Sequence, residues 1–189
     1  MNNIVKDFFD KVANNYTHDD CEFINKELAS LSLDKYHHIL DLGCGKGVIS
    51  AELAVYSGGE VTGLDISSKM IDAAKEAVKH PRVKFIRDDF YDFVHEPFDA
   101  IICFDCYPHF LDKNGFIEKA NELLNKNGML LIIHDIGRPT LNEHHEKTAG
   151  HVSRLLKEPE IEAKDFLKYF DLIEAKETDN SYKIMLQKR

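Results

Sequence analysis

No apolar run among the 189 residues approaches the length of a membrane-spanning helix, and the opening MNNIVKDFFDKVANNY is amphipathic rather than a signal peptide. Internal repeats, low-complexity tracts and Pro/Gly-rich linkers are also missing, so one domain over residues 1–189 is expected. No cluster of Lys or Arg stands out. The 24 basic residues against 33 acidic ones leave a formal charge of −9, which argues against a phosphate-tracking surface and against bulk nucleic acid as a partner. Cysteine is scarce: Cys21, Cys44, Cys103 and Cys106, without a secretory signal, are expected to be reduced thiols in a cytoplasm. Cys103 and Cys106 form a C-x2-C pair, which is half of a common zinc site. No second pair exists to complete it, and Cys103 falls at the end of a buried strand, so no metal is expected.

What is present is an ordinary globular composition, 43% hydrophobic and 30% charged. Ile4, Val5, Phe8, Phe9 and Val12 recur at helical spacing over residues 3–14, and a second helical stretch covers about 19–31, giving a helical segment over residues 1–35. Apolar strands and helical stretches then alternate. HHILDLG is followed by a helix over about 47–56, and EVTGLD by SSKMIDAAKEAVKH with Ser67 as its N-cap. RVKFIRDD and FDAIICFD read as the next strands. DKNGFIEKANELLNK is a helix stopped at the Asn127-Gly128 turn, and MLLIIHD is a fifth strand. DLIEAKETDN and SYKIMLQKR read as a terminal hairpin turning at Asp179-Asn180. This is an α/β pattern: a mostly parallel sheet with helices on both faces and an antiparallel hairpin at its end. In such sheets the site lies beyond the carboxyl ends of the strands, where this chain places Asp41, Asp65, Asp89, Asp105 and Asp135.

The loop after the first of these strands, DLGCGKG, spaces its glycines G-x-G-x-G. A dinucleotide fingerprint needs a third glycine where Val48 stands, and a phosphate-cradling loop needs G-K-[ST] where Lys46 is followed by Gly47 and Val48. DLGCGKG instead resembles the first motif of the class I S-adenosylmethionine-dependent methyltransferases, of small-molecule type. The resemblance implies a Rossmann-like sheet of seven strands, with S-adenosyl-L-methionine as cofactor. It places Asp41, Gly43, Gly45 and Gly47 beside the amino-acid part of that cofactor. Asp65, with Ile66 next to it, falls where the family binds the ribose hydroxyls. VKFIRDDF resembles the third motif, which puts Asp89 at the adenine amino group and Phe90 beside the ring, although the adjoining Asp88 competes for that register. FDAIICFDCYPHF resembles the fourth motif, whose strand end and following loop line the transferred methyl and bring in Cys103. Tyr16 sits where related enzymes close an N-terminal segment over the cofactor; packing at a helix end is the alternative.

The implied reaction is transfer of a methyl group to a small-molecule acceptor by in-line displacement, which needs alignment in a dry pocket and, for some acceptors, a base. A cofactor-binding domain without catalysis is the alternative, and an NAD-dependent oxidoreductase a weaker one. Imidazole titrates near neutral pH and suits the role of base. His109 in CYPHF and His134 at the end of LLIIHD are the catalytic candidates; each can equally be a structural hydrogen-bonding histidine. The long segment after the fifth strand, about 136–160, reads as a lid. Pro139 fits the first turn of a helix, and Leu141, His145, Thr148, Val152 and Leu155 repeat at 4-3-4-3 spacing. That spacing turns His145 inward as a third catalytic candidate, leaving His144 and His151 on an adjoining face. The acceptor's identity and the oligomeric state are not legible.

Overall fold

The computed structural model describes residues 3–15 and 22–189, and the chain divides into two compact units, Met1–Val94 and His95–Arg189. Tyr16 and Cys21 lie outside the described residues. The first unit runs α1 (Asn3–Val12), α2 (Glu22–Ser30), β1 (His38–Leu42), α3 (Val48–Ser57), β2 (Glu60–Asp65), α4 (Ser68–Ala77) and β3 (Val83–Arg87). The second runs β4 (Phe98–Phe104), α5 (Lys113–Leu123), β5 (Leu124–His134), α6 (Arg138–Thr148), α7 (Pro159–Ala163), β6 (Phe170–Thr178) and β7 (Ser181–Lys188). The mixed sheet has seven strands, ordered β3-β2-β1 in the first unit and β4-β5-β7-β6 in the second.

In the first unit β1, β2 and β3 are parallel, with Asp41 opposite Gly63 and Asp65 opposite Arg87. Buried residues run almost unbroken along β1 and β2, as parallel strands packed under helices require. Helix α1 is held at a distance in sequence. Its Asp10 accepts a hydrogen bond from the Ser67 hydroxyl at 2.6 Å and one from the Lys69 amide at 3.3 Å. Ser67 in turn caps α4, accepting from the Met70 amide, as its sequence position predicts. Lys6 adds an ion pair to Asp10 at 2.6 Å. Burial alone would raise the Asp10 carboxyl, but these donors outweigh it and hold it at about 2.

In the second unit β4 and β5 are parallel, with Cys103 opposite Ile132, and β7 returns antiparallel to β5, setting Tyr182 opposite His134. The terminal hairpin forms as the sequence implies, Thr178 pairing with Ser181 around Asp179-Asn180. Its outer strand β6 slips register between Leu172 and Glu174. Two boundaries differ from expectation. Helix α5 stops at Leu123, before the Asn127-Gly128 turn, because Leu124 is already extended and pairs with Phe98, while the Asn125 amide reaches Asp99 at 2.9 Å. Helix α6 stops at Thr148, so the inward spacing continued to Leu155 fails: Leu155 is 49% exposed and Leu156 is buried instead. The chain is drawn out of the helix at Arg154, whose amide bonds the Pro108 carbonyl and whose side chain bonds the Phe110 carbonyl.

We expect Asp10→Asn to lower the stability of the first unit by about 1–2 kcal/mol at pH 7. An unfolded aspartate titrates near ~3.9, above the folded value, so the stabilisation from Asp10 is complete above that pH and disappears as the pH falls toward 2. The variant should therefore lose less stability than wild type between pH 4 and 3. Urea unfolding at both pH values and at pH 7 checks this; equal stability at pH 7 would show that the tether contributes nothing.

Candidate active site

The loop leaving β1 is built by glycine. Gly43, Gly45 and Gly47 have φ of 72°, 52° and 80°, a conformation that costs other residues roughly 1–2 kcal/mol each. The amides of Gly43 and Cys44 both bond the Leu64 carbonyl, so the loop runs on beside the end of β2 before α3 begins. The glycines are not equivalent. A Cβ on Gly47 would lie 2.4 Å from the Phe85 ring, and one on Gly63 would lie 2.6 Å from the same ring. Gly47 is thus required by packing, in a cluster that also holds Cys44, Ile71 and Ala74.

Acids surround this loop. Asp65 accepts from the Gly45 amide at 2.9 Å with one oxygen and from the Ser67 amide at 2.8 Å with the other. Burial pushes its carboxyl up to about 6, against those two hydrogen bonds. Asp41 is only 2% exposed and accepts from the Ser50 hydroxyl of α3 at 2.5 Å. Burial raises it further, to about 7, with the Asp65 charge adding to the effect, so both ionisation states are populated near neutral pH. Ile66 is half-buried beside Asp65. After β3 the structure separates the two competing acids. Asp89 is buried and accepts from the Tyr91 amide at 3.2 Å, whereas Asp88 accepts from the Asp89 amide as a local cap. The Phe90 ring is buried as well.

The second unit gathers the three histidines. His109 follows β4 in a short 3-10 turn, Tyr107–His109, and its Nδ1 donates to the Val152 carbonyl at 3.0 Å, which fixes that tautomer and makes Nε2 an acceptor. The His145 ring, on α6, lies 5.1 Å from the His109 ring, edge to face. Burial, and then the neighbouring imidazoles, lower both: His109 and His145 each titrate at about 4 and are neutral at pH 7. His134 ends β5, 1% exposed. Its Nδ1 is 3.2 Å from Asp105 Oδ1, close enough for an ion pair but not in hydrogen-bonding geometry, so both its ring nitrogens lack a hydrogen-bond partner. His145 Nδ1 is likewise buried and unpartnered. Asp105 has φ of 51° and also accepts from the Asp135 amide. His144 and His151 are exposed, although the His144 ring lies 6.1 Å from that of His145. Cys103 is fully buried within β4, its sulfur 2.9 Å from that of Cys106. Among the described residues no group of three His, Cys, Asp or Glu is placed to hold a metal ion, and no helix is long and apolar enough to cross a membrane.

Sequence reading missed what holds this cluster together. Glu162, fully buried, accepts from the Tyr107 hydroxyl at 3.0 Å and from Arg154 at 2.8 Å, with Lys113 at 3.3 Å. Arg154 also lies over the Tyr107 ring, 4.1 Å from its centroid. The segment after α6 is thereby bolted to the turn that carries His109. No local pattern marks these partners. Phe85 did leave a signal: a glycine inside an apolar strand, Gly63, indicates close approach by a neighbour.

A family model for a methyltransferase domain matches residues 33–187. The chain belongs to the class I S-adenosylmethionine-dependent methyltransferases. A ubiquinone biosynthesis O-methyltransferase of Actinobacillus pleuropneumoniae is 30% identical over 101 residues, 49% of this chain and 43% of that protein. The chain thus spans less than half the length of the curated relatives it matches. Among solved structures, the N-methyltransferase NodS of Bradyrhizobium japonicum bound to S-adenosyl-L-homocysteine superposes with a TM-score of 0.75 at 17% identity, covering 97% of this chain and 98% of that one. The magnesium protoporphyrin IX methyltransferase of Synechocystis, with the same product bound, gives 0.72 at 19% identity and covers all of both chains. These likenesses show the fold.

The methyltransferase's first unit fits the family's cofactor chemically. A left-handed glycine turn exposes backbone, and the Asp65 carboxylate, with two backbone donors, retains lone pairs for the hydroxyls of a ribose. Gly45→Ala and Gly47→Ala should separate binding from packing. The Gly47 variant should lower the melting temperature by several degrees, through both its φ and the Phe85 clash. The Gly45 variant should weaken S-adenosylmethionine binding more than it lowers the melting temperature. Calorimetric titration beside thermal unfolding measures both; identical profiles for the two variants would refute the distinction.

Proposed function

We propose that this methyltransferase carries a methyl group from S-adenosylmethionine to a hydroxyl of a small molecule. The observation that carries the acceptor side is the set of buried imidazole nitrogens without hydrogen-bond partners on His134 and His145. Buried polar atoms left unpaired cost about 1–3 kcal/mol each, and a polar ligand would supply the missing bonds. Neutral imidazole accepts a hydrogen bond from a hydroxyl and can donate one to it. The similarity to an O-methyltransferase supports the same choice. The acidic surface supports a small acceptor over a polyanion.

When bound, the cofactor supplies an electrophilic methyl on a positively charged sulfur. The protein supplies the rest. Asp41, Asp65, Asp89 and the glycine turn bind and orient the donor, with Ile66 and Phe90 giving apolar walls and Tyr16 and Cys103 assigned as further contacts. Titrating at about 4, His109 and His145 are too weakly basic to hold a proton at pH 7, so they orient the acceptor by hydrogen bonding. His134, beside the Asp105 carboxylate, takes the proton as the oxygen is methylated. The segment over about 136–160 acts as the lid that excludes water. Cytoplasmic residence is part of the same reading, supported by Cys44, Cys103 and Cys106 standing outside disulfides.

Incubation with radiolabelled methyl donor and a panel of phenols, aliphatic alcohols, amines and thiols tests the proposal. Label should appear on hydroxyl acceptors; transfer to amines alone would overturn the acceptor assignment. Calorimetry on the same preparation should show binding of S-adenosylmethionine and its demethylated product, and none of NAD.

With an acceptor in hand, His145→Ala should reduce turnover at least tenfold, about 1.4 kcal/mol or more, with cofactor affinity unchanged. Normal turnover would remove His145 from the site.

A further inference from the structure

We propose that Cys103 and Cys106 form a reversible disulfide, with a low-molecular-weight disulfide as the oxidant. In a regular strand residues three apart face opposite sides, so their sulfurs could not meet. Here the left-handed turn at Asp105, φ 51°, reverses the chain between them, and the two sulfurs stand 2.9 Å apart. That is within an ångström of the disulfide bond length of about 2.05 Å. The turn is held from outside the pair: the Asp105 amide bonds the Ile133 carbonyl at 3.0 Å, and its carboxylate accepts from the Asp135 amide. The backbone that brings the two residues together is therefore held in place at the end of β4.

The burial of the two residues orders the reaction. Cys106 is half-buried and open to a reagent, whereas Cys103 is fully buried. The Cys106 thiolate, having lost its proton to solvent, attacks the reagent RSSR; a Cys106–SR mixed disulfide forms and RS⁻ leaves. The Cys103 thiol gives its proton to the departing RS⁻ as its sulfur attacks the Cys106 sulfur; the Cys103–Cys106 bond forms, the Cys106–SR bond breaks, and the RS⁻ released first takes up from solvent the proton that Cys106 lost. Two protein thiols are oxidised and one RSSR is reduced to two RSH. The bond would span Asp105, the neighbour of His134, and would hold the start of the turn carrying His109, whose amide bonds the Cys106 carbonyl at 3.0 Å. Cys44 is buried against Phe85 in the first unit and has no sulfur partner among the described residues.

The test uses glutathione disulfide on the intact protein, followed by acid quench, alkylation and peptide mapping. Wild type should lose both alkylatable thiols in the peptide holding residues 103–106, with a mass decrease of two hydrogens, and dithiothreitol should restore them. In Cys103→Ser a glutathione adduct should persist on Cys106, since no second thiol is present to displace it. A wild-type protein that stays reduced at both positions would overturn the proposal. So would one that keeps the adduct on Cys106, or pairs either cysteine with Cys21 or Cys44. The wild-type result stands even if the serine variant fails to fold. No methyl acceptor is needed, so this test fails or succeeds independently of the reading of the reaction.

Discussion

One carboxylate, that of Asp65, bonds the backbone at both ends of the stretch that matters most in the first unit: the Gly45 amide in the glycine turn and the Ser67 amide at the start of α4. Three left-handed glycines have the most conformational freedom to lose on folding, so the turn needs restraint beyond the bonds from Gly43 and Cys44 to Leu64 and from Gly47 to Cys44. Asp65 supplies the missing restraint, and it does so half-buried, where each hydrogen bond is stronger and an unpaired charge is costly. Ser67 extends the arrangement to Asp10, so that the turn, α4 and α1 are joined by a continuous chain of hydrogen bonds. A ligand that bonded Asp65 would compete for, or complete, the same lone pairs that keep the loop in shape.

The second unit solves a different problem. The segment between β5 and β6 has only short helices and would not stay folded against the turn after β4 by propensity alone. Glu162 and Arg154 hold it down: Arg154 and Lys113 neutralise the buried carboxylate and the Tyr107 hydroxyl donates to it, while one buried nitrogen of Arg154, Nη2, is left without a hydrogen-bond partner. Burial would raise the Glu162 carboxyl, but the two cations and the Tyr107 hydroxyl outweigh it and keep it ionised well into acid. Satisfied Glu162 and unsatisfied His134 and His145 belong to the same unit. The contrast is between a carboxylate whose bonding is complete and imidazoles whose bonding is not.

Most of the fold was legible because its signals are local: apolar runs for the strands, Ser67 before a helical pattern, Asp179-Asn180 between two β-like runs. The glycine turn and the acids at the strand ends were legible for the same reason. What the sequence could not show is pairing at a distance. Nothing near residue 47 indicates that an aromatic at residue 85 will occupy the space its side chain would need, and Tyr107 and Glu162 are 55 residues apart. Spacing also misled. Leu155 continues the period of α6 but is exposed, because the backbone there follows Arg154 to its carbonyl partners instead; Val152 is buried as its spacing implies. The basicity of His109 differs from expectation for a related reason: a free imidazole titrates near neutrality, and burial takes this one to about 4.

The bond between Ser67 and Asp10 joins residues 57 positions apart, and that distance has a consequence for how the chain assembles. Helix α1 leaves the ribosome before any strand of the sheet. Its docking surface does not exist until β2 and the first turn of α4 have formed, more than fifty residues later. At ten residues α1 is too short to be stably helical on its own. It must therefore wait, exposed, with its apolar face uncovered, while later segments fold. Helix α1 precedes the sheet in sequence and is fixed only after β2 and α4.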